Sequence, residues 1–363
     1  MQAGNSFTLF CGVDGTVWSS GKNGFGQLGL GDMVDRLEFE QIPELYDVEH
    51  ISCSWCHVLC LDSNGDVWAW GNNSHGQLGL GDTENRHTPC KVPGLSNIKQ
   101  LSTGGKHSLC VDQNGNIWVC GCNAEAQLAL PDSYSKPDKI LNFVQTAPNV
   151  NSIHAGYETS YFTTLDACYG VGYNMHGQHG TGAKVMLRIP KKISIENVKF
   201  ARAGPYCLFL MDHEDNLWAM GKNEAGQLGI GESVETDSLR PSKVSMPSGI
   251  NVVDVAAGSF HTLFLDSEGN CRVAGCNMDG QLGTGDGAKC NRVVPALIQT
   301  ESKIVGISCG LHHSALIDEN EILWMFGSNT SGQLGIGDRK PFYRKPVRVV
   351  GRSRAKSAKS CPN

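Results

Sequence analysis

Residues 24–31 read "GFGQLGLG" and contain a Gly-x-Gly-x-x-Gly run. In a dinucleotide-binding fold such a run lies between a buried parallel strand and a helix whose N-terminus holds the phosphates, with an acidic residue about 20 positions on. The segment that follows, "DMVDRLEFEQIPEL", has no apolar face at helical spacing and soon meets Pro43. The run is also not unique. It returns as "GNNSHGQLGLGD" from Gly71, "GCNAEAQLALPD" from Gly121, "GYNMHGQHGTGA" from Gly172, "GKNEAGQLGIGE" from Gly221, "GCNMDGQLGTGD" from Gly275 and "GSNTSGQLGIGD" from Gly327. A cofactor loop is needed once. Seven copies at intervals of 49 to 54 residues describe an architecture.

Each repeat has the same internal order. A short strand ends in Gly ("VVDVAAG", 252–258). A second strand follows ("SFHTLFLD", 259–266), then a hairpin turn ("SEGN", 267–270) and a third strand that ends at the Gly opening the loop. A looser fourth strand precedes or contains a Pro-Val pair, as in "TPCKVPGL" (88–95) and "RKPVRVV" (344–350). No segment reads as a long amphipathic helix. The third strands "TVWSSG", "DVWAWG", "NIWVCG", "NLWAMG" and "ILWMFG" are apolar on both faces, so both faces of each sheet are covered. Four short antiparallel strands per roughly 50 residues, stacked face to face about an axis, make a seven-bladed all-β propeller.

Individual slots refine this. The wide-ring slot of the third strand holds Trp18, Trp68, Trp118, Tyr169, Trp218, Arg272 and Trp324, expected to pack between blades. Full burial of one such ring is worth up to about 4–6 kcal/mol. Arg272 predicts a locally looser sixth blade, and "EAQLALPD" and "GQHGTGAK" predict less regular third and fourth loops. The loop Asn and Gln slots are expected to bond nearby backbone. His57, His107, His261 and His313 share one slot with Phe7, Thr159 and Cys207, which predicts packing and a backbone hydrogen bond rather than acid–base chemistry. Gly4 occupies the slot of Gly104 and Gly258, and the last repeat ends without a following first strand. That offset predicts a ring closed by joining the two chain ends in one blade.

The 15 cysteines are an odd number scattered through the chain, which fits reduced thiols in a cytoplasmic or nuclear compartment. Cys53 and Cys56 form a lone C-x-x-C whose positions match small and core slots in the other repeats, so they read as structural thiols. No metal, cofactor or catalytic constellation is read. The start "MQAGNSFTLF" lacks the pattern of a secretory signal, and no apolar run reaches membrane-spanning length. A net charge of −6 argues against broad nucleic-acid binding by residues 1–350. The remaining 351–363, "GRSRAKSAKSCPN", are expected to be a basic disordered tail, with weak nucleic-acid contact as its alternative role.

Seven repeats carrying G-x-N-x-x-G-Q-L-G-x-G-D together with G-x-x-H-[ST] resemble the RCC1 (regulator of chromosome condensation) repeat family over essentially residues 1–350. The resemblance implies a seven-bladed propeller whose Gly-to-His turns gather at one mouth of the ring. Variable residues in those turns are the candidate partner-binding set: Trp55, Lys106, Tyr157, Glu158, Tyr206, Phe260 and His312. Aromatics among mostly uncharged neighbours suit a protein-binding patch, with a plug of the channel as the bland alternative. The family's exchange activity on the small GTPase Ran implies acidic and histidine residues in these turns plus an inserted wedge. Here Glu158 is the one acidic turn residue, His261 and His313 fill the histidine slot, and no repeat carries a wedge-sized insertion. The G-W-R-H-T runs of the plant ultraviolet-receptor branch are absent, "SWCHV" (54–58) being a single echo. The expectation is therefore a non-enzymatic protein-interaction scaffold, with guanine-nucleotide exchange on a Ran-like or other small GTPase as the alternative.

Overall fold

The computed structural model describes residues 1–131, 138–146, 149–165, 167–231, 236–286 and 291–349. The basic tail lies outside them. These residues form seven four-stranded antiparallel sheets, each built from four consecutive strands. Blade one uses Gln2–Ala3, Phe7–Cys11, Val17–Gly21 and Arg36–Gln41; blade seven uses Ile304–Cys309, His313–Asp318, Leu323–Ser328 and Phe342–Arg348. The first strand of each blade touches the first strand of the next all the way round, so these strands line the axis. The second strands, such as His107–Asp112, are buried at every position.

The core is divided rather than single. Seven hydrophobic clusters each join two neighbouring blades. The cluster that closes the ring packs Met1, Phe10 and Phe39 of blade one against Ala315, Ile317 and Met325 of blade seven. The two chain ends thus meet across a blade–blade junction. The expectation of one sheet shared by both ends is not what the described residues show, because Gln2–Ala3 alone supply the first strand of blade one and pair with Thr8 and Leu9.

The wide-ring slot packs between blades as expected. Trp68, Trp118, Trp218, Trp324 and Trp18 each lie against one of these clusters. They are partly rather than fully buried, so each contributes less than the ceiling for a whole ring. The indole N–H of Trp68, Trp118, Trp218 and Trp324 donates to Asp62, Asp112, Asp212 and Asp318 at 2.9–3.2 Å. The same aspartates accept backbone N–H groups of the hairpin turn, for example Asn64 and Asp66 on Asp62. Blade six keeps its ladder. Arg272 pairs in register with Phe264 and Leu297, and all four strands are present.

The loops are held by their amides. In all seven repeats the Asn side chain accepts the N–H five residues on, as in Leu78 to Asn73 at 3.0 Å. The Gln side chain accepts the N–H two residues back, as in His75 to Gln77 at 2.9 Å. Repeats three and four keep both bonds, against the expectation of irregular loops. Repeat three does so with Ala126 and Ala129 at φ 62° and 51°, where the other repeats have glycine. Left-handed alanine costs about 1–2 kcal/mol, part of which glycine's larger unfolded entropy offsets. Ala126→Gly is therefore expected to raise stability by about 0.5–1 kcal/mol, read as a shift of the denaturant midpoint; a lower midpoint would show that Ala126 is unstrained.

The repeated histidines bond across blades as well as to backbone, which Thr159 offers His107 and His313 offers His261. His57, His107, His261 and His313 reach the hydroxyl of Ser108, Ser160, Ser314 and Thr8 in the next blade at 2.8–3.0 Å. Each hydroxyl also donates to the carbonyl of Gln77, Gln127, Gln281 or Gln333 in the histidine's own blade. A hydroxyl has one proton to give, so it must accept from imidazole Nε2–H. This relay clamps four junctions, the closing one included. The signal was present in the sequence: where the slot holds His, the residue after the slot in the next repeat is Ser or Thr. A second latch joins the loop to the next outer strand, as in Gly81 N–H to Leu141 O at 3.0 Å. Repeat three has Pro131 in that slot and no N–H to offer.

Candidate functional site

Each Gly-to-His turn is a tight closure between the first two strands, for example Gly104 N–H to His107 O at 2.9 Å. The carbonyl just before the His slot accepts the N–H of the residue after the third-strand glycine in every blade, as in Cys56 O from Asn72 and Tyr206 O from Lys222. Turns and glycine loops are thereby pinned together on one face of the ring. Neighbouring turns are also bonded to each other: Asn5 N–H to Ser54 O, Gly105 N–H to Tyr157 O and Tyr157 N–H to Pro205 O at 2.8–3.0 Å.

On this rim the candidate aromatics meet. Trp55 lies edge-on to Tyr157 with centroids 5.0 Å apart, and Tyr157 lies 5.6 Å from Tyr206. Phe260 stacks on His312 at 5.4 Å. Trp55 belongs to blade two and Tyr157 to blade four. They meet because blade three presents Gly105 beneath them; a Cβ there would stand 2.5 Å from Tyr157 Cδ2. All of these side chains are half-buried.

The gap between the two aromatic groups is filled by a residue the sequence reading did not select. Lys222 Nζ sits 5.6 Å from the Tyr206 centroid and 4.9 Å from Phe260, with Glu224 at 3.2 Å. Its signal was its position, directly after the third-strand glycine and so pinned to Tyr206. Asp279, from another loop, pairs with His312 at 3.2 Å. His176 lies 5.3 Å from the Tyr206 ring and bonds Asp237 at 3.2 Å.

The electrostatics follow from burial. The Glu158 carboxyl is pushed up by burial and by Glu125, with Lys106 opposing. Tyr206 is pushed up to about 12 by burial, then by Tyr157 and Glu158. His312 is held down by burial, with Asp279 opposing. Of the candidate set, Lys106 makes no ring contact and acts as the counter-charge of Glu158. Cys53 and Cys56 are buried thiols raised to about 12 and about 11, which opposes thiolate chemistry there.

Comparison with known proteins agrees with this geometry. The RCC1-like domain profile matches residues 1–303 and the regulator of chromosome condensation (RCC1) repeat profile matches 304–333. The chain is 29% identical to the ultraviolet-B receptor UVR8 of Arabidopsis thaliana over 206 residues, 56% of this chain and 46% of that protein. It is 32% identical to the human regulator of chromosome condensation over 130 residues, 36% of this chain and 30% of that protein. The match spans less than half the length of either relative. Among solved structures, Prp20p of Saccharomyces cerevisiae superposes with a TM-score of 0.83 at 21% identity, covering 94% of this chain and 88% of that one; its report concerns binding to Gsp1p and histones. Human WBSCR16 gives 0.80 at 23% identity, covering 93% of each chain. At such identities these two structures speak for the fold alone. The sevenfold repeat, the ring of four-stranded blades and the profile over residues 1–303 lead to one conclusion: the chain belongs to the RCC1-like domain family.

Proposed function

We propose that this propeller binds another protein through the face bearing Trp55, Tyr157, Tyr206, Lys222, Phe260 and His312, and performs no covalent chemistry there. The observation that carries the reading is the rail itself. Half-buried aromatic rings lie in contact on a rim held by backbone bonds, with charged side chains paired around them. Rigid aromatic anchors with a polar surround are what interface hot spots are made of. Thirteen free cysteines among the described residues favour a reducing compartment, cytoplasm or nucleus. No helix among those residues is long and apolar enough to cross a membrane.

Affinity capture tests this reading. Proteins retained by the wild-type chain and by a Glu268→Gln control on the opposite rim should be lost from a Trp55→Ala, Phe260→Ala double variant, each anchor being worth about 2 kcal/mol. A protein set unchanged in the double variant, with its thermal melt intact, would remove the rail from the interface.

A second reading, guanine-nucleotide exchange, is favoured by one specific feature: Glu158, a half-buried carboxyl in a Gly-to-His turn, in a chain whose relatives include the regulator of chromosome condensation. Release of a labelled guanine nucleotide from Ran separates the two. Acceleration by the wild-type chain that disappears in Glu158→Ala would establish exchange, and a rate equal to spontaneous release would leave the scaffold reading.

A further inference from the structure

This inference rests on the protein-binding reading and names the chemistry of the partner. The rail already displays what its rings accept. The Lys222 ammonium is held between the faces of Tyr206 and Phe260, and its side chain is only 15% exposed. A cation near two ring faces gains from both quadrupoles. The other end of the rail, Trp55 and Tyr157, offers rings of the same kind. Among the described residues no cation of the chain itself lies over either ring.

Charges of both signs lie beside this end. Glu125 adds to the burial that raises the Glu158 carboxyl, with Lys106 as the opposing ammonium. The phenols of Tyr157, Tyr173 and Tyr206 are all raised, first by burial, and Glu158 contributes to all three. Glu158 thus reaches the rings of blades four and five, while Lys22 acts on Cys56 beside Trp55. Half-exposed ring faces with a carboxyl beside them recognise a cation. Between the two candidate cations, a guanidinium is planar, weakly hydrated and stacks on rings, whereas an ammonium is a compact, strongly hydrated charge.

We infer that the Trp55–Tyr157 end of the rail seats an arginine side chain from a basic segment of a protein partner, with its guanidinium against the rings and its charge facing Glu158. Lys222 would remain in place as the neighbouring cation of the same row.

The probe is a fluorescein-labelled peptide of four Gly-Arg pairs, with its citrulline counterpart as the neutral isostere. Fluorescence anisotropy with the whole chain should show the arginine peptide binding at least tenfold tighter than the citrulline one. Trp55→Ala and Tyr157→Ala should each weaken it about tenfold, and Glu158→Gln about fivefold with a smaller salt dependence. Lys106→Ala should tighten it, and Glu268→Gln on the opposite rim should leave it unchanged. Equal binding of the two peptides overturns the inference. So does a Trp55→Ala effect below twofold, or one matched by Glu268→Gln, since bulk acidity would then be the cause. If the rail variants lose their captured proteins while arginine and citrulline peptides bind alike, the protein-binding reading stands and this inference alone falls.

Discussion

Acidification from pH 7 to pH 4 is expected to unfold the ring over a span of about one to two pH units. Burial holds His57, His154, His261 and His313 down to about 3 and His107 down to about 4. In the unfolded chain these imidazoles return to about 6.5. The unfolded state therefore binds more protons throughout the interval between the folded and unfolded values. Their stabilising contribution is complete above about pH 6.5 and is lost progressively as the pH falls towards 3–4. Inside that interval each group changes stability by about 1.4 kcal/mol per pH unit, so five give about 7 kcal/mol per unit. A domain's whole stability is about 5–15 kcal/mol, which places the midpoint near pH 5.

For the four slot histidines the relay supplies the structural reason. A proton added at His107 Nδ1 creates a charge in a site where Ser160 Oγ is already engaged at Nε2 and the Gln127 carbonyl is already engaged by that hydroxyl. Circular dichroism along an acid titration, with proton uptake counted by pH-stat, should give a transition of more than three protons. The double exchange His107→Phe with Ser160→Val copies the apolar Phe7–Val58 arrangement that blade one makes with blade two, and should remove about one proton from the count. A gradual loss of signal spread from pH 7 to pH 2, or an unchanged count in the double variant, would mean that these histidines do not set acid stability.

Gly71→Ala should be among the most damaging single methyls that can be added to this chain, at about 3–5 kcal/mol. Gly71 has φ 96°, a region that an L side chain rarely adopts, and a Cβ there would lie inside the contact radius of the Cys56 carbonyl oxygen. That oxygen is the acceptor for Asn72 N–H, the bond that pins turn to loop. It is main chain, so it cannot swing aside as a side chain would. Gly31→Ala is the matched control. Its φ of 90° carries a similar conformational penalty, but the nearest atom to the added methyl is Thr88 Cγ2 at 3.8 Å. A loss of about 1–2 kcal/mol is expected there. Thermal melts of the two variants should differ clearly, and equal losses would show that backbone conformation alone, not the turn carbonyl, makes this slot glycine in all seven repeats.

Much of the molecule was legible in its residues because much of it is local. A strand of alternating or continuous apolar residues, a glycine turn and an Asn five residues before the N–H it caps all lie within a few positions of their partners. The third-strand tryptophans, the loop amides and the number of blades were readable for that reason. Errors arose where a pattern was judged by its residues alone. Arg272 suggested a weak sixth blade, yet the hydrogen-bond ladder around it is main chain and indifferent to the side chain. The glycine losses in "EAQLALPD" suggested a broken loop, yet Ala126 and Ala129 accept left-handed backbone because the Asn123 and Gln127 amides hold them there. The histidine slot was assigned packing and a backbone hydrogen bond, whereas its hydroxyl partner lies 51 to 53 residues away at the junctions after blades two, three and six.

By itself the sequence determined the repeat, the four strands of each blade, their two buried faces and the glycine and amide slots of the loops, because those are set by hydrogen bonding and burial between near neighbours in the chain. Tertiary structure alone decided which distant residues touch. The curvature of the ring brings Thr8 to His313 and closes the first blade on the last. The missing side chain at Gly105 lets Trp55 reach across a whole blade to Tyr157, and the same rim places Lys222 between two rings. Such contacts depend on how identical modules pack around an axis, and no single repeat contains that information.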